Sequence, residues 1–156
     1  KLHIAFKRYL PLEHRGLINE VIGHYRQWYV EKDLEATQFE PLIKNVKPVL
    51  KTLYQHGWKL GIATNKSLRG LSRGLSHHEI EKFFSIIMTA DDFTPKPDKA
   101  MAIHALRTLK VKNSEAFMIG DTVCSIKMGK NAKMNTIGVT WGYNTKEELN
   151  RAHADI

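Results

Sequence analysis

The chain has 156 residues, 42% of them apolar and 26% charged, which is enough for one good core with a small attachment and too little for two full domains. No apolar run approaches the roughly 20 residues that a membrane-spanning helix needs, no leader pattern is read, and the single cysteine, Cys124, cannot close an internal disulfide; a soluble chain in a reducing, cytoplasmic setting is expected. Lys and Arg exceed Asp and Glu by 24 to 16, for a net charge of +8, but the basic residues are spread from Lys7 to Arg151 with few aromatics between them, so a basic solvated surface is favoured over a nucleic-acid-binding one.

From His3 to Val30 the pattern is helical. Leu10 and Pro11 interrupt it once, and Leu17, Ile18, Val21, Ile22, Tyr25, Trp28 and Tyr29 recur at three- and four-residue spacing, which predicts a helical hairpin. Glu31 to Asn45 is polar, contains Pro41 and has no clean period, so it reads as a connection. Val46, Val49, Leu50, Leu53 and Tyr54 then line one face of a helix closed at His56-Gly57. Beyond it strand and helix alternate. Lys59–Thr64, Phe83–Thr89, Ala116–Ile119 and Thr136–Thr140 read as strands, and Ser67–Leu75, Lys99–Leu109 and Ser125–Ala132 as helices. That order predicts an α/β, Rossmann-like parallel sheet with helices on both faces and polar residues gathered where strands end.

Three such ends carry residues suited to chemistry. Gly120-Asp121-Thr122 follows the third strand, where the carboxylate of Asp121 suits a hard cation such as Mg²⁺; the plain alternative is a helix cap, which Asp also favours. Thr64-Asn65 follows the first strand, with a hydroxyl and an amide suited to phosphoryl oxygens, and again a cap is the alternative. In Thr94-Pro95-Lys96-Pro97-Asp98, prolines restrict the backbone around one lysine, which suits a fixed ammonium as well as an ordinary solvated turn.

The order and spacing of the three together resemble the haloacid dehalogenase superfamily. GIATNK is similar to its second motif, TPKPDKAM to its third and MIGDT to its fourth, while TADD and IGVTWGY resemble the phosphoglycolate-phosphatase-like branch. The resemblance implies a metal-dependent phosphatase whose cofactor is Mg²⁺ and whose partner is a small phosphorylated substrate. It implies that Thr64 and Asn65 bind phosphate, that Lys96 is the catalytic cation, and that Asp121 is the metal ligand. Residues 1–40 would be a partial helical cap and residues 41–156 the core.

Two positions depart from the pattern. The family's nucleophile and general acid/base are the two aspartates of an Asp-x-Asp motif on the first strand, and this chain contains no Asp-x-Asp. That strand is expected in the middle of the sheet, between those ending at Thr64 and Ile119, so its absence is expected to leave two unpaired edges. Lys1 falls directly into apolar-patterned sequence, and a truncated sequence is the favoured explanation, with a decayed or split gene behind it. In the fourth motif, Ser125 stands where a second aspartate is expected, which predicts weaker metal binding. Lys99 and Lys133 replace a proline and a glycine of many members and read as tolerated surface variation. A phosphate-binding or partner-binding relic is the alternative to an enzyme, and the sequence is silent on oligomeric state.

Overall fold

Proline at position 11 removes an N–H that a continuing helix would use, and the chain breaks there. In the computed structural model, which describes residues 2–35 and 39–156, α1 (Leu2–Tyr9) ends just before it, a 3₁₀ turn covers Leu12–Leu17, and α2 runs Ile18–Glu35. α2 therefore extends into the stretch expected to be a connection. Glu31 to Glu35 is mostly of good helix formers, which need no apolar period to prolong a helix already nucleated, and Gln27 Nε2 donates to Glu31 Oε1 one turn on (3.0 Å). Contacts divide the chain into two compact units, Lys1–Glu40 and Pro41–Ile156. In the first, Ile18 and Ile22 are buried and the rings of Phe6 and Tyr25 meet edge to face at 5.6 Å, whereas Leu17 and Trp28 of the predicted stripe are exposed.

The second unit follows the predicted alternation through α3 (Val46–Gln55), β1 (Leu60–Ala63), α4 (Leu68–His77), β2 (Phe84–Met88), α5 (Ala100–Leu109), β3 (Phe117–Gly120), α6 (Val123–Asn131) and β4 (Asn135–Gly138), and adds α7 (Lys146–Arg151), which was not predicted. α3 closes in a left-handed turn at Gly57 (φ 78°), with Trp58 N donating to Leu53 O and Gly57 N to Tyr54 O. Its apolar face is narrower than the sequence implies: Leu50 packs inward, while Val49 and Tyr54 are both 53% exposed.

Among the described residues all strand pairing is parallel, in two separate pairs, β1 with β2 and β3 with β4. In the first pair, Leu60 faces Phe84 but Gly61 faces Ile86, so Ser85 is an extra residue that reverses the alternation of β2. Phe84 and Ile87 accordingly pack with Leu75, Ile80 and Phe83 on one face, and Ile86 and Met88 with Met101, Ala102 and Met128 on the other. In the second pair, Met118 joins that methionine cluster, while Phe117 and Ile119 are 45% and 57% exposed. α6 and α7 meet through Ile126 and Leu149. Residues 155–156 run along β4, with Gly138 N donating to Ile156 O (2.7 Å) and Asp155 accepting from Thr136 N and Oγ1 (both 2.8 Å) and from Lys130.

Candidate phosphate site at the strand ends

Each candidate residue lies in a loop at the carboxyl end of a strand, and hydrogen bonds draw those loops together. Thr64 N donates to Met88 O (3.0 Å), continuing the β1–β2 ladder one residue past the strand. Asn65 is anchored from the neighbouring loop: its Oδ1 accepts from Lys96 N (2.9 Å). The Lys96 side chain reaches the first turn of α6, which follows β3, donating from Nζ to Ser125 Oγ (2.9 Å). Asp121 follows β3 directly. Its Oδ2 accepts from Tyr143 N and its carbonyl from Asn144 N, both at 3.1 Å.

The cap readings fail in both cases, at Asp121 and at Thr64-Asn65. The helix after Asp121 is capped by Thr122, whose side chain accepts from Ser125 N (3.2 Å). The helix after Asn65 is capped by Ser67, while Thr64 Oγ1 accepts from Lys66 N (3.1 Å). Both helices begin later in their loops than the candidate residues, so those side chains are not spent on helix caps. Nor is Lys96 an ordinary solvated lysine. Burial lowers its pKa from the usual value, opposed by the charge of Asp121 and then of Cys124.

Ser125 is only 3% exposed and committed on two sides. Its Oγ accepts from Lys96, so its own proton is available for Thr122 Oγ1, 3.0 Å away. It also lies so close to Gly120 that a Cβ at position 120 would collide with it, and a Cβ at Gly142 would likewise strike the Asp121 carboxylate. These two glycines are needed for close approach.

The sequence reading passed over two contributions. Asp91, within the TADD segment, accepts from Leu68 N through Oδ2 (2.8 Å) and ties the loop after β2 to the start of α4. The Gly142-Tyr143-Asn144 turn clamps Asp121, and Asn144 Oδ1 also accepts from Val123 N (3.0 Å). Its only signal was IGVTWGY, which served as a mark of the branch. Lys133 is likewise more than surface variation: it holds a left-handed backbone (φ 58°) that favours glycine.

Mg²⁺ requires about six oxygens in near-octahedral array, usually from one or two carboxylates with water and substrate phosphate. Among the described residues no three His, Cys, Asp or Glu side chains gather. Asp121 offers one carboxylate with an oxygen already engaged, Asp91 is turned to Leu68 N–H, and the Ser125 hydroxyl faces an ammonium. This donor set does not by itself make a magnesium site.

The model of the haloacid dehalogenase-like hydrolase family matches residues 5–139. A phosphoglycolate phosphatase of Psychrobacter arcticus is 36% identical over 106 residues, covering 67% of this chain and 46% of that protein. The pyrophosphatase PpaX of Bacillus velezensis is 35% identical over 139 residues, covering 88% and 62%. The chain thus spans about half to three fifths of the length of these relatives. A solved haloacid dehalogenase-like hydrolase from Streptococcus pneumoniae superposes over 99% of this chain and 70% of its own with a TM-score of 0.80 at 26% identity. No helix among the described residues is long and apolar enough to cross a membrane. With the motif loops meeting at one end of parallel strands and the family model covering most of its length, this chain belongs to the haloacid dehalogenase-like hydrolases.

Proposed function

We propose that the chain supplies the phosphate-handling part of a phosphatase acting on a small phosphorylated anion. The observation that carries this reading is the Lys96 bridge, which joins Asn65 through its backbone and Ser125, four residues from Asp121, through its ammonium. Thr64, Asn65 and Lys96 would hold the phosphoryl oxygens, the lysine offsetting charge as the phosphoryl group moves. Phosphoglycolate and pyrophosphate are the substrates that the relatives' names suggest.

In this reading the nucleophile lies outside these 156 residues, on a strand between β1 and β3, each of which has a single strand partner among the described residues. Its first aspartate would attack phosphorus and release the leaving group, which the second would protonate. Water would then hydrolyse the aspartyl phosphate. Magnesium dependence would rest on the carboxylates of that strand together with Asp121, and residues 1–40 would be part of a helical cap. Reading the coding DNA upstream of Lys1 tests this directly: an in-frame Asp-x-Asp after an apolar strand is expected, and without one the enzyme reading falls. For a chain that carries it, Asp121→Asn should lower phosphate release from an aryl phosphate by about a hundredfold or more; retained activity would show that Asp121 is not the metal ligand. The second reading is phosphate binding without turnover, which the Ser125–Lys96 bond favours.

A further inference from the structure

Where several carboxylates surround a phosphate dianion, a divalent cation is needed to keep the anions together, because like charges a few ångströms apart repel by kilocalories even at partly solvated sites. The described cradle has a different balance. Position 125 contributes a neutral hydroxyl that accepts from the Lys96 ammonium. Asp121 is the one carboxylate of the β3 loop, and Asp91 is directed to Leu68 N–H. Among the described residues these bonds bring one ammonium, Lys96, and one carboxylate, Asp121, to the cradle, and their formal charges cancel.

The remaining groups there are donors. Asn65 Oδ1 is used by Lys96 N, which fixes the amide and leaves its NH₂ to donate. Thr64 Oγ1 accepts from Lys66 N, which leaves its hydroxyl proton to donate. Lys96 spends one ammonium proton on Ser125 and has two more. A phosphate, all of whose oxygens can accept, complements such a set without an intervening cation.

We propose that the phosphate affinity of the Thr64, Asn65 and Lys96 cradle is independent of Mg²⁺, and that Ser125 is the positioning residue that makes it so. The inference rests on the phosphate reading above and concerns the 156-residue chain. Inorganic phosphate is titrated into it by calorimetry, once in EDTA and once in excess Mg²⁺. The two dissociation constants are expected to agree within about twofold, since the charge of the one carboxylate, Asp121, is already opposed by Lys96. Ser125→Asp is expected to weaken binding in EDTA by about tenfold and to regain it in Mg²⁺. The uncharged, similarly sized Ser125→Asn should stay indifferent to Mg²⁺, which separates charge from bulk. Lys96→Gln should lose binding in both buffers, which distinguishes the cradle from the generally basic surface.

Phosphate bound by the unsubstituted chain only with Mg²⁺ would overturn the inference and leave the phosphate site standing. No binding in either buffer would overturn both. Persistence in Lys96→Gln would place the anion elsewhere, and Mg²⁺ dependence in Ser125→Asn, or none in Ser125→Asp, would remove Ser125 from the account. The comparison on the unsubstituted chain needs no variant to fold.

Discussion

The two strand pairs are built from similar short apolar strands but are finished differently. β1–β2 is packed on both faces, by Leu75, Ile80 and Phe83 on one side and the methionine cluster on the other. β3–β4 shares the methionine cluster on one face through Met118, while Phe117 and Ile119 remain exposed on the other. Both nevertheless present ordered loops at their carboxyl ends, because those loops are held by polar bonds to one another. A site of this type depends more on the Lys96 bridge and the Gly142 clamp than on sealing every face of the sheet.

That contrast can be broken by substitution. The largest effect is expected in the cluster common to both pairs: Met101, fully buried, changed to Ala should lower unfolding free energy in urea by about 2–5 kcal/mol. A cost below about 1 kcal/mol would mean that the two pairs are not stabilised through one core. Next, Gly142→Ala should cost about 1–3 kcal/mol, because its Cβ meets the Asp121 carboxylate; a neutral result would show that the clamp yields easily.

Acid should then act on the β4 side. The bonds from Lys130 and Thr136 hold the carboxyl of Asp155 down at about 2, against an ordinary 3.8. A depressed carboxylate contributes stability that is complete above its unfolded value and lost as the pH falls through the folded one. The loss is therefore expected between about pH 4 and pH 2, and Asp155→Asn should flatten that limb of a stability-against-pH curve; an unchanged limb would assign the acid sensitivity elsewhere. The smallest change is expected at the bare face, where Ile119→Ser should shift stability by no more than about 0.5 kcal/mol. A shift of several kcal/mol would show that something covers the face in solution.

Much of this architecture was readable in the chain. Alternating apolar runs and helical periods located the elements of the second unit from α3 to β4 to within about two residues, because each is marked by its own residues, whereas α7 was not read. The exposure of Val49 and Tyr54 was hidden, since periodicity identifies a face but says nothing of how much of it a neighbour covers. The reversal at Ser85 was hidden too, because the extra residue is defined only by its pairing with β1. Thr64, Asn65, Lys96 and Asp121 were singled out through motif order, and the structure places all four in loops at strand ends. What orients them was not: Asp91 and Tyr143 act on residues 23 and 22 positions away, beyond any local pattern. The cap reading for Asp121 was off by a single position, since Thr122 takes the cap.

The central claim is that Thr64, Asn65 and Lys96 form one phosphate cradle beside Asp121. Its most direct test is a ¹H–¹⁵N spectrum of the chain recorded during titration with inorganic phosphate. The account predicts saturable shifts of the Asn65 side-chain amide and of the backbone amides of Thr64, Lys96 and Asp121, with Arg107, Lys110 and Lys112 unmoved. Shifts spread over those basic residues, with Asn65 and Lys96 silent, would contradict it.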